Sequence, residues 1–170
     1  MQMNKAVVIT QPDYDYTTRY ISAWAGKIID LCRKKKIQTI TLKGKRSNRH
    51  EFESVVKKVN PRFIFLNGHG NEIAVAGQDG EILVQLNINE STLRSRIIYA
   101  LSCRSAKILG KEGISKGVET YIGYKEDFIF SYDENELPLL APWYPSRRIG
   151  GSASLLIIRF IPASPAGGHG

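Results

Sequence analysis

Two residues of this 170-residue chain have the type and the neighbours for covalent chemistry. Cys103 follows the apolar run Arg96-Ile-Ile-Tyr-Ala-Leu101 and a serine, and His69 stands between two glycines after the run Phe63-Ile-Phe-Leu-Asn67. A thiolate attacks a carbonyl carbon, an imidazole moves the proton between thiol and departing group, and backbone amides hold the developing oxyanion. Here Cys103 is the candidate nucleophile, His69 the general acid/base, and the amides of Gly70 and Cys103 the oxyanion donors. Glycines on both sides of His69 would let a substrate approach the backbone. A helix opening just after Cys103 would lower its thiol pKa. The other residues of these types carry no such pattern. Cys32 shares a helix face with Ile28 and Ile29 and reads as core, His50 lies in the polar start of a helix, and His169 stands in the tail with no partner. No pair among them has metal-ligand spacing, so neither zinc nor another cofactor is expected.

For His69 and Cys103 to meet, two strand ends must lie side by side. β-Branched and apolar runs predict strands over residues 5–10, 37–42, 62–67, 96–101 and 119–124, with a short sixth at 128–130. Apolar spacing on one face predicts a helix over 17–36. Asn48 with Glu51 three residues later opens a second helix through Val59, ended by Pro61, and a helix over 105–116 follows Cys103. Asp79-Gly80 between residues 73–76 and 81–84 signals a hairpin, and residues 89–95 suit a short helix. This alternation predicts an α/β three-layer sandwich, with a mostly parallel sheet and helices on both faces. The flavodoxin-like order 2-1-3-4-5 makes the strands ending at Asn67 and Leu101 neighbours, with their C-terminal ends forming the ligand crevice. A helix or strand near 152–160 would cover the sheet edge, and residues 161–170 should be loose.

Composition sets the frame around this site. With 42% hydrophobic and 24% charged residues, the chain is of ordinary globular type, and its length suits one domain over residues 1–160 with its core at 5–131. No apolar stretch approaches the ~20 residues of a membrane span, so no membrane partner is expected. The N-terminal apolar run is too short for a signal peptide and two cysteines make no disulfide framework, which points to the cytoplasm. The net charge of +8 is concentrated in residues 27–62, which hold twelve of the 24 Lys and Arg against three acids. Such a region suits phosphates or an acidic protein surface, or else a solvated helix end where cations complement the dipole.

The segments Phe63 to Gly70, Ile97 to Ala106 and Gly117 to Tyr124 resemble the signature of the caspase-like (clan CD) cysteine peptidases. That group includes caspases, metacaspases, legumain, gingipains, separase and the CHAT domains, and the chain is nearest to the CHAT and gingipain-like members. The resemblance implies a caspase-like peptidase domain acting as a cysteine endopeptidase on a peptide or protein substrate, with Cys103 as nucleophile and His69 as general acid/base. Leu101-Ser102 stands where caspases carry Gln-Ala, and the Asp that precedes the nucleophile in metacaspases is absent. The chain is short for the group, which leaves room for a partner domain or subunit. In this group the substrate pocket is bordered by the segment after the fourth strand and the loop after the fifth, which here offer Ser102, Arg104 and Asp127. Asp127 would pair with Arg or Lys and Arg104 with an acid. The expectation is cleavage after a basic residue, with Arg104 one position into the helix and turned to solvent. The alternative is a catalytically inactive caspase-like module that binds nucleic acid or a protein partner through residues 27–62.

Overall fold

In the computed structural model, which describes residues 4–127 and the backbone of Leu155–Arg159, six strands form the central sheet. They are β1 (Asn4–Gln11), β2 (Thr39–Lys43), β3 (Pro61–Asn67), β6 (Ile97–Leu101), β7 (Thr120–Tyr124) and β8 (Leu155–Arg159), in the order β2-β1-β3-β6-β7-β8. The first five are parallel, and β8 pairs antiparallel along β7. Side chains alternate across the strands, so Val7, Ile9, Phe65 and Leu101 meet on one face and Val8, Ile64, Leu66, Ile98 and Ala100 on the other. Helix α1 (Tyr16–Lys34) covers the first face through Ile21, Ala25 and Cys32. The second is covered by α2 (Arg49–Val59), α3 (Leu109–Ser115) and a hairpin of β4 (Ala74–Ala76) and β5 (Ile82–Gln85). Residues such as Phe52 and Leu42, with no exposed surface, each contribute about 1.5–3 kcal/mol of apolar burial. The architecture is the expected three-layer α/β sandwich, and the tail segment near 152–160 supplies an edge strand.

Element boundaries moved where local chemistry intervened. Helix α1 closes in a Schellman motif, in which Ile37 N–H donates to the Cys32 carbonyl and Lys36 N–H to that of Arg33, with Lys36 at φ 56°. That turn uses up the residues expected to begin the second strand, so β2 opens at Thr39. Asn60, at φ 48°, caps α2 by donating its amide to Val56, and Pro61 opens β3 instead of stopping a helix. Residues 89–95 form only a 3-10 turn, Glu90–Leu93. The strand expected at 128–130, the tail at 161–170 and His169 lie outside the described residues.

The connection after β1 leads through α1 on one face to β2, and the one after β2 leads through α2 on the other face to β3. The sheet order therefore reverses between β1 and β3, and the loops leaving these two strands part at that point. In open parallel sheets such a parting leaves a crevice beyond the strand ends. Among the described residues, no helix is long and apolar enough to cross a membrane.

Candidate active site

The crevice is occupied by the chain's own polar side chains. Asp15, in the loop after β1, caps α1: its carboxylate accepts from the Thr18 amide at 2.7 Å, and Thr18 Oγ1 accepts from the Asp15 amide at 3.1 Å. The other carboxylate oxygen, Oδ2, lies 2.7 Å from His69 Nε2. An ionised carboxylate can only accept, so Nε2 carries the proton and Nδ1 is left as the basic nitrogen. Burial pushes the Asp15 carboxyl up, but the hydrogen bonds from Thr18 and His69 outweigh it and hold the group below the ordinary carboxylate range. The ring of Tyr14 meets the imidazole edge-on, with centroids 6.1 Å apart. Burial, then the carboxylates of Asp15 and Asp79, push the Tyr14 phenol up, so it remains a neutral neighbour of His69.

His69 is held from its backbone as well. Ala76 N–H donates to the His69 carbonyl at 2.8 Å, and Asn71 N–H to Ala74 at 3.0 Å. These two bonds flank the Gly70–Val75 bridge and leave the Gly70 amide out of that pairing. One residue before the loop, Thr10 and Asn67 tie β1 to β3. Thr10 Oγ1 accepts from the Asn67 amide at 2.8 Å and donates to the Asn67 carbonyl at 3.0 Å, while Asn67 Nδ2 donates to the Thr10 carbonyl at 2.6 Å.

The glycines around His69 serve a different purpose from the one expected. At Gly68, φ is 151° and a Cβ would land on the Ala76 carbonyl oxygen; at Gly70 it would land on Ser102 Oγ. The missing side chains admit the protein's own hairpin and the turn after β6, not a substrate. A Cβ at Gly70 would also come within 3.1 Å of the Cys103 carbonyl oxygen, so the segments carrying the two expected oxyanion amides are in contact.

Cys103 begins a run of turns, and α3 opens only at Leu109. This corrects the expected helix over 105–116 and removes the helix N-terminus as the activator of its thiol. Gly110 and Gly113 leave a short helix of low propensity, while Ser105 Oγ donates to the Ser102 carbonyl and holds the chain in a turn. Arg104 sits at φ 53° in that turn, not within a helix. Its side chain does not run free into solvent: Nε lies 2.9 Å from Asp127 Oδ1, and the Arg104 amide donates to the Glu126 carbonyl. The two residues expected to compete for substrate charge are thus paired with each other.

His69 and Cys103 line one cavity of about 20 Å³, together with Thr17 and Ile21 of α1, Gly68 and Leu101. Ser102 also borders it, although its hydroxyl is buried against Gly70 and has no hydrogen-bond partner among the described residues. Neither Arg104 nor Asp127 lines it. Cys32 is buried on the inner face of α1 and His50 is exposed on α2. Among the described residues, no group of three or more His, Cys, Asp or Glu could hold a metal ion.

The basic stretch does not form one patch. Because α1 and α2 run back down the sheet, Arg33 to Lys36, Lys57, Lys58 and Arg62 lie at the N-terminal ends of the strands. Lys43, Lys45 and Arg46 lie at the opposite edge, with the site.

Asp15, Thr17 and Ile21 went unassigned in the sequence. Asp15 had a legible signal: an Asp three residues before a Thr at the start of an amphipathic helix is a capping pattern, and its place after β1 puts it on the His69 edge. No family model matches the chain, and neither does any curated protein.

Proposed function

We propose that the chain is a cysteine peptidase of the caspase-like kind, with Cys103 as nucleophile, His69 as general acid/base and Asp15 as the residue that orients the imidazole. The observation that carries this reading is that His69, bonded to a carboxylate through Nε2, lines the same small cavity as Cys103. The sheet order, with the two strand ends as neighbours, also supports it.

In the proposed reaction His69 Nδ1 takes the Cys103 proton, and the thiolate attacks the carbonyl carbon of a peptide bond. The carbonyl oxygen becomes an oxyanion beside the amides of Gly70 and Cys103. The imidazolium, stabilised by ionised Asp15, then gives its proton to the departing amine as the carbon–nitrogen bond breaks. Water hydrolyses the resulting thioester, with His69 as its base. Asp15 stays ionised throughout, in keeping with its lowered pKa.

The test is hydrolysis of a mixed peptide library by the purified chain, with alkylation of Cys103 followed by intact mass. Rapid alkylation of Cys103, slowed in His69→Ala, and hydrolysis lost in Cys103→Ala support the reading. Hydrolysis unchanged in Cys103→Ala, or Cys103 reacting no faster than an unstructured thiol, overturns it.

A further inference from the structure

The cavity that joins His69 to Cys103 also restricts what can reach them. Any carbonyl attacked by Cys103 must sit about 3–3.5 Å from the sulfur, and the cavity beside that sulfur is a space the neighbouring side chain can enter. Its volume is about 20 Å³, little above the ~10–15 Å³ that one water needs. Its walls are Ile21, which is 4% exposed, Leu101, which is 6% exposed, and Thr17. Both apolar walls belong to the packed face between α1 and the sheet, so they cannot withdraw without opening the core. Among the described residues, none that is titratable lines the cavity apart from His69 and Cys103. A Lys, Arg, Asp or Glu head group placed there would have no dedicated counter-charge. The carboxylate that reaches its lining, Asp15, is already engaged by His69 at 2.7 Å, and Arg104 and Asp127 neutralise each other at 2.9 Å.

Resting on the assignment of Cys103 as nucleophile, we infer that the site takes peptides whose carbonyl-donating residue is small and uncharged, namely glycine, alanine or serine. Selection works by exclusion: Ile21, Leu101 and Thr17 wall the cavity against longer side chains. This replaces the basic preference that Asp127 suggested in the sequence.

The experiment uses four peptide acyloxymethyl ketones that differ only in the last residue, Ala, Leu, Arg or Asp, with inactivation followed by intact mass of the Cys103 adduct. The Ala reagent should react at least about tenfold faster than each of the others, the discrimination a tight apolar pocket achieves against one or two extra carbons. A fastest reaction with Leu, Arg or Asp overturns the inference while leaving Cys103 as nucleophile. Reaction with none of them, or an adduct that persists in Cys103→Ala, removes both. Widening the cavity gives the second arm. Ile21→Ala and Thr17→Ala each enlarge it, the second from a half-buried position in the first turn of α1, outside the buried core. In either variant the Leu reagent should gain about tenfold on the Ala reagent, and an unchanged ratio in a folded variant overturns the inference.

Discussion

The two halves of the candidate site are built differently. On the His69 side, every support comes from the frame of the sheet. The imidazole leans on Asp15, which is also the N-cap of α1, the His69 carbonyl accepts from the hairpin, and Asn67, two residues before His69, is tied to β1 through Thr10. On the Cys103 side, the proposed nucleophile begins a turn held by Glu126 and Tyr124, whose carbonyls accept from the amides of Arg104 and Ala106. An ion pair whose members are about half exposed, Arg104–Asp127, closes the turn from outside. His69 is thus set by elements that cannot shift without unfolding the β1–β3 pair, whereas Cys103 is set by the end of β7 and the loop after it. The placement of Cys103 is therefore the more adjustable of the two.

The sharpest test removes the reacting groups themselves. Cys103→Ala and His69→Ala should each lower kcat/KM by about 10³-fold or more, while the thermal midpoint stays within a few degrees, since both side chains border a cavity. A variant with near wild-type turnover would break the pairing of the two halves.

Asp15→Asn addresses the His69 side without dismantling it. Asn is as good an N-cap as Asp, so stability should change by less than about 1 kcal/mol, while the lost charge no longer stabilises the imidazolium. A fall of about 10- to 100-fold in kcat is expected, with KM little changed. Steady-state kinetics across pH beside thermal denaturation would separate this from a merely structural role. The pH dependence has a definite sign. With its folded pKa depressed, ionised Asp15 contributes stability that is present above the ordinary value of 3.8 and lost as pH falls through the lower folded value. In acid titrations followed by circular dichroism, Asp15→Asn should therefore converge on the wild type below that range.

Gly70→Ala probes the contact between the halves. The added methyl meets Ser102 Oγ and two carbonyl oxygens at 3.0 and 3.1 Å, which should cost about 1–3 kcal/mol. Combining it with Ser102→Ala should recover part of that loss and not all, because the carbonyls remain. Strict additivity in a denaturant double-mutant cycle would show that the two segments do not touch. The smallest effect belongs to the outer pair: Asp127→Asn should alter stability by less than about 1 kcal/mol, as exposed ion pairs do. Salt screens the exposed pair in the wild type and has no pair to screen in the variant, so kcat should be less sensitive to salt in Asp127→Asn than in the wild type.

Much of this architecture was readable from one dimension. The apolar runs of β1, β3, β6 and β7 have the β-branched composition of buried parallel strands, and strand composition needs no knowledge of partners. His69 and Cys103 were legible because each follows such a run after one intervening residue, so sheet order alone brings them to one edge. The hairpin was legible from Asp79-Gly80, whose left-handed dihedrals are a property of those residues. The expected helix after Cys103 failed because the 105–116 pattern ignored what Ser105 and the turn at Arg104 do to the backbone locally.

What the tertiary structure alone decided is which side chains face each other across the loops. Asp15 and His69 are 54 residues apart in the chain, and their meeting depends on the β1–β3 register and on the capping geometry of α1. The glycines beside His69 gave no sign in the sequence that the hairpin carbonyl and Ser102 would occupy their open space. Arg104 and Asp127 were each recognisable as charged rim residues, but their mutual pairing follows from the direction of the turn after β6. Element identity follows from the preferences of neighbouring residues, which a linear pattern records. Side-chain partnership depends on distances of a few ångströms between segments far apart in sequence, and only the folded register sets those.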